Sequence, residues 1–159
     1  MPVISTEADR ENLNLTIVAE FDATPDRIWQ VWEDPRQLEK WWGPPTWPAT
    51  FEQHDFREGG ESRYFMTGPD GEKARGHWRF LAIDGPGRLE IEDSFADDDG
   101  EPNKDMPAGR MVVTIKDDGG RTRMTIVSYS ASLESLEQVL EMGQAEGMTQ
   151  AMNQIDGLI

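Results

Sequence analysis

Leu13, Leu15, Ile17, Ala19 and Phe21 alternate with Asn12, Asn14, Thr16 and Glu20. That period of two is the signature of a strand with one wet face, so residues 12–21 are predicted to be a strand. Thr24-Pro25-Asp26 then supplies an N-cap, a proline at the first helical position and an acid in the first turn, and Ile28, Val31 and Trp32 follow at helical spacing. A short helix from Pro25 to Trp32 is expected. A second helical piece, Arg36 to Trp41, must stop before Gly43-Pro44-Pro45, because consecutive prolines remove backbone donors and fix φ.

From Ala49 to Val127 the chain reads as strand and turn. Gly59-Gly60, Pro69-Asp70-Gly71, Asp84-Gly85-Pro86-Gly87 and Asp117-Asp118-Gly119-Gly120 punctuate segments of strand length, which predicts a meander of hairpins. Leu89, Ile91 and Phe95 alternate with Glu90, Glu92 and Ser94, and Met111, Val113 and Ile115 with Thr114 and Lys116. Arg75 to Ile83 is mixed, with Trp78, Phe80 and Ala82 on one face and His77, Arg79, Leu81 and Ile83 on the other. Ala96 to Pro107 is acidic and aperiodic and is read as one long loop.

After a last strand, Met124 to Tyr129, the period changes. Leu133, Leu136, Leu140, Gly147, Ala151, Ile155 and Leu158 recur at three- and four-residue steps behind Ser132 as a cap, predicting one long amphipathic C-terminal helix. Gly143 and Gly147 weaken it by about 1 kcal/mol each relative to alanine, for which close approach of a backbone or a ligand is the usual reason. The expected architecture is α+β: a flexible N-terminus over residues 1–10, then one domain over residues 11–159. In that domain a curved antiparallel sheet grips a long helix.

Composition narrows the function. The 159 residues carry a formal net charge of -16, which repels phosphate backbones and anionic bilayers, so no nucleic-acid partner is expected. There is no cysteine, which removes disulfides, thiolate metal sites and cysteine nucleophiles together. No apolar run approaches the roughly 20 residues of a spanning helix, so no membrane span is expected and a cytoplasmic address follows. Six tryptophans against two tyrosines require either a wide interior or an aromatic-lined pocket.

Four stretches carry a family resemblance: Phe21-Asp22-Ala23-Thr24-Pro25-Asp26-Arg27-Ile28-Trp29, Leu38-Glu39-Lys40-Trp41-Trp42-Gly43-Pro44, Gly120-Arg121-Thr122-Arg123-Met124-Thr125, and Met142 to Ala151. In combination they resemble the SRPBCC (START-related) superfamily, in the branch similar to the C-terminal domain of the activator of heat-shock-protein-90 ATPase. The resemblance implies the helix-grip, birch-pollen-allergen-like fold: six to seven antiparallel strands, two short helices and a long C-terminal helix. It further implies a cavity of the kind that often holds lipids, sterols or polyketides.

His54 and His77 are the only histidines, and their spacing fits no compact zinc pattern; satisfied or solvent-facing imidazoles are the plainer reading, and no metal is expected. In Asp97-Asp98-Asp99-Gly100-Glu101, an EF-hand frame with Gly100 sixth would put Phe95 first and Met106 twelfth, neither of which ligates through a carboxylate. No Gly-x-Ser-x-Gly elbow is present. The densest aromatic cluster is Trp41, Trp42 and Trp47; with Phe65, Trp78, Phe80, Phe95, Met111, Met148 and Met152 it supplies the candidate cavity wall, though core packing also accounts for most of these side chains. Arg63, Arg79 and Tyr129 are candidates to orient a ligand. The expectation is non-enzymatic binding of a small apolar molecule (a lipid, polyketide or similar) between sheet and helix, without catalytic residues or cofactor, by a monomer or homodimer. The alternatives are a protein-interaction module that contacts a chaperone or other protein, and a polyketide cyclase- or aromatase-like enzyme.

Overall fold

The computed structural model describes residues 2–106 and 108–159. Its strands are β1 (Val3–Asp9), β2 (Asn14–Phe21), β3 (Ala49–His54), β4 (Glu61–Thr67), β5 (Lys73–Asp84), β6 (Arg88–Phe95), β7 (Gly109–Asp118) and β8 (Arg121–Tyr129). They form one sheet in the order β1-β2-β8-β7-β6-β5-β4-β3, and every neighbouring pair is antiparallel. Helices α1 (Pro25–Glu33) and α2 (Pro35–Trp41) fall between β2 and β3; α3 (Leu133–Glu141), α4 (Gln144–Asn153) and a 3₁₀ turn, Gln154–Gly157, close the chain.

The local chemistry expected of each element is present. Thr24 caps α1 by accepting from the Arg27 N–H, and Asp34 ends α1 and caps α2 by accepting from the Arg36 N–H at 2.9 Å. Along β2, alternate residues are buried, from Leu15 to Phe21. All four turn clusters join consecutive strands of the meander. Between the sheet and α1–α2 lies an aromatic core in which Trp32, Trp41 and Trp78 are fully buried. Trp32 and Trp41 pack edge to face at 4.8 Å, the arrangement that ring quadrupoles favour.

Three expectations change. Residues 3–9 are not a flexible lead: β1 runs antiparallel to β2 from Val3↔Ala19 to Asp9↔Asn14, which makes the sheet eight-stranded rather than six- or seven-stranded. As an edge strand it is exposed over most of its length and shows no alternation to read. Met1 lies outside the described residues. Strand β2 begins at Asn14 rather than at residue 12, because Leu13 adopts φ 57° in the β1–β2 turn. The C-terminal helix is not continuous. Gly143 takes φ 82°, a left-handed conformation that ends α3 and lets α4 start in a new direction. The loop from Ala96 carries a single bridge, Ala96↔Pro102, and its expected last residue, Pro107, lies outside the described residues.

Polar anchors fix the C-terminal elements to the sheet and to α2. The Asn153 side chain accepts from the Val3 N–H at 3.1 Å, and Gln154 Nε2 donates to the Gly43 carbonyl at 2.8 Å. Leu136, Ala151, Met152 and Ile155 are buried beneath them.

Candidate functional site

Burial of these helices is incomplete. Between the inner face of the sheet and α3–α4 the packing leaves a cleft of about 280 Å³. Its walls are apolar: Leu15, Met66 and Met111 from the sheet, Leu136, Val139 and Met148 from the helices. Two glycines on the sheet side keep it open. A Cβ on Gly76 would lie 2.3 Å from the Tyr64 hydroxyl, so Gly76 is what allows the phenol to lie across β5. Gly109 stands opposite Asp93 in the β6–β7 register and leaves space above that carboxyl.

The polar groups of the cleft converge at one end. Trp42 and Tyr64 line it, and their rings meet those of Trp78 edge-on at 4.8 and 5.6 Å. Asp93, paired with Trp78 across β5–β6, also lines it. The indole N–H groups of Trp42 and Trp78 are buried and make no hydrogen bond among the described residues. Both lie close enough to the Tyr64 hydroxyl to influence it, and Trp78 lies close to Asp93 as well, without reaching bonding geometry. A buried donor left without a partner costs about 1–3 kcal/mol. Burial pushes the Asp93 carboxyl up to about 7, and the Trp78 N–H opposes that shift only in part. Tyr64 is held far above its ordinary range, by burial first and by the Asp93 charge second. Asp93 is half-buried and is one of the residues that line the cleft.

Trp42, Phe95, Met111 and Met148 are brought together around the cleft, and Phe95, 38% exposed, marks its mouth. The other expected wall residues lie elsewhere. Trp41 is buried between the short helices, its indole donating to the Val31 carbonyl at 2.8 Å. Trp47 packs beside Gly68, and Met152 and Phe80 are core, with Phe80 against Phe56 and His54. Trp78 stands behind Tyr64 and Asp93 rather than in the wall. Phe65 is on the outer face, because its neighbours Tyr64 and Met66 take the inner positions of β4; Lys73 and Arg75 cover its ring. Arg63 and Arg79 share that outer face, Arg63 paired with Glu101 at 2.7 Å, while Tyr129 stays at the cleft beneath the Arg110 guanidinium.

Both histidines are satisfied. His54 Nε2–H donates to the Trp32 carbonyl at 2.9 Å, so Nδ1 accepts from the Ser62 hydroxyl, and burial lowers the ring's pKa. His77 Nε2–H donates to Glu61 at 2.9 Å, which holds that carboxyl below its usual range. Tyr64 and Asp93 are the polar cleft residues that sequence reasoning missed. For Asp93 the signal existed: in the series Leu89, Ile91, Asp93, Phe95 a carboxylate stands at an inward position of an otherwise apolar face.

Comparison with known proteins agrees with this fold. Residues 22–159 match the family model described as Activator of Hsp90 ATPase homolog 1-like protein. The chain is similar to protein Ms6760 from Mycobacterium smegmatis, whose crystal structure is 52% identical, with 99% of this chain and 97% of that one covered and a TM-score of 0.92. A protein from Arthrobacter aurescens, solved by NMR, is also 52% identical over 97% of this chain and 90% of its own, with a TM-score of 0.92. A Staphylococcus epidermidis protein at 22% identity shares the fold, with a TM-score of 0.85 over 98% of this chain and 93% of its own. None of the curated proteins compared matches.

Proposed function

The chain belongs to the activator of Hsp90 ATPase homolog 1-like family, an SRPBCC-type family, and from that premise we propose that it binds a small, mainly apolar molecule in the cleft between sheet and C-terminal helices. One observation carries this reading: a cleft of about 280 Å³ with apolar walls also holds a carboxyl, Asp93, to which the protein gives no ion pair. Walls of this kind supply affinity through buried area, about 25 cal/mol per Å², and a few convergent polar groups supply orientation.

Native mass spectrometry of the purified protein, beside a titration with an apolar dye followed by tryptophan fluorescence, tests it. A co-purifying small molecule, or saturable one-to-one quenching that disappears when Met148→Trp fills the cleft, supports the proposal. No bound mass and no saturable quenching would reject it and transfer the weight to a protein partner.

A second reading has Asp93 behind it. A carboxyl shifted to about 7 exchanges its proton near neutral pH, as a general acid or base must. Recovery of a chemically altered ligand, with the alteration lost in Asp93→Asn, supports catalysis; recovery of unaltered ligand supports binding alone.

A further inference from the structure

The charge inside the cleft constrains what fills it, provided the cleft binds ligands as proposed above. Asp93 follows the buried Leu89 and Ile91 at the next inward position of β6, opposite Trp78 on β5 and Gly109 on β7. Among the described residues it is the one charged side chain at an inward position of the cleft wall. Arg75 and Arg110 also border the cleft, but from outward positions of β5 and β7, where they pair with Glu52 and Glu90. The residues that α3 and α4 contribute, among them Ser135, Leu136, Gln144 and Met148, carry no charge. The Asp93 carboxyl has no ion pair among the described residues, and burial drives its shift to about 7. The protein thus gives the cleft one acidic group and no cation to balance it.

We propose that the cleft selects an apolar amine, whose ammonium group pairs with the Asp93 carboxylate while its hydrocarbon body lies between the sheet and the C-terminal helices. An ionised carboxyl in an apolar site is costly unless a cation accompanies it. A hydroxyl donates one hydrogen bond to it but leaves the charge unbalanced. A carboxylate is repelled by Asp93 and by the net charge of -16, and that same charge steers cations toward the chain. Aromatic rings also suit a cation, and Tyr64 and Phe95, the two register neighbours of Gly76, line the same wall. Size follows from volume. An engineered cavity of about 150 Å³ holds one benzene, so about 280 Å³ admits a molecule of two fused rings.

Isothermal titration calorimetry of the full chain at pH 8 with 2-naphthylmethylamine, 2-naphthalenemethanol, 2-naphthoate and naphthalene separates the outcomes. At that pH the amine keeps its proton and Asp93, titrating near 7, is mostly ionised. The expected result is that the amine binds roughly tenfold or more tightly than the alcohol of the same shape, the yield of a charge-assisted hydrogen bond in a dry site. In Asp93→Asn that preference is lost, whereas Glu92→Gln, which removes an equal charge from an exposed outward position of the same strand, keeps it. Circular dichroism and urea unfolding confirm that both variants are folded, and the ranking of amine over alcohol in the parent chain tests the proposal without either. Equal or tighter binding of the alcohol, or tightest binding of the naphthoate, overturns the amine while leaving the binding function standing. A preference for the amine that survives Asp93→Asn overturns the pairing with this carboxyl. Failure of all four to bind overturns both this inference and the function it rests on.

Discussion

Asp93 holds its proton to higher pH in the folded chain than in the unfolded one, near 7 against an ordinary 3.8. The folded state thus binds more protons in that window, and the stability this contributes is complete below about pH 4 and lost as pH rises through about 7. Asp93→Asn removes the titration. Relative to the parent, the variant is expected to gain stability between pH 5 and pH 8, by on the order of 1–3 kcal/mol once screening by cleft water is allowed for. Urea unfolding at the two pH values checks this; a difference that does not change with pH would contradict it. His54 works in the opposite direction, since its lowered pKa removes stability as pH falls below about 6.5. At Gly43, φ is 95° and an added Cβ would lie 2.3 Å from the Trp47 carbonyl, so Gly43→Ala is expected to cost at least about 2 kcal/mol by thermal unfolding. The sequence shows why residue-scale inference is uneven. Trp42 stands out by composition and Asp93 by register, whereas the Tyr64 position depends on a space that Gly76 makes across two strands.

The broken C-terminal helix distinguishes two glycines that the sequence presents alike. Gly143 has φ 82° and open space around it, so Gly143→Ala adds only left-handed strain and is expected to destabilise by about 1 kcal/mol. Gly147 lies inside α4 with an ordinary φ and free space, so Gly147→Ala is expected to stabilise by about 0.4–1 kcal/mol while its methyl narrows the cleft. Stabilisation by both changes would mean the helix is continuous. Strand β1 makes an equally direct prediction: its amides bonded to β2 should be protected from hydrogen exchange, whereas a flexible lead would exchange at once. Periodicity located β2, α1, α2 and the hairpins because each pairs a buried face with a wet one. It missed β1, whose edge is mostly wet, and the helix break, because an apolar stripe continues through a change of axis as it does along a straight helix.

At the scale of the molecule, one sheet is covered at one end by α1–α2 with a filled aromatic core and at the other by α3–α4 with space left over. The sequence pattern foretold an apolar C-terminal helix laid on the sheet, though not its break, and the family resemblance implied a cavity beside it. Which side chains face that cavity was less legible, because it depends on register and on a helix bend rather than on residue type: Phe65 and Trp78 look like wall material but lie outside and behind it. Exposed charges pair in arrays such as Glu20 with Arg121 and Arg123, which salt screens. Binding carried by the apolar cleft should therefore be insensitive to salt. The most direct test of the cleft is a ¹H–¹⁵N spectrum of the six indole N–H groups during titration with naphthalene. A cleft that binds apolar ligands predicts saturable shifts at Trp42 and Trp78 with Trp29, packed against Gly85 on the far side of the core, unmoved. No saturable shift, or shifts led by Trp29, would contradict it.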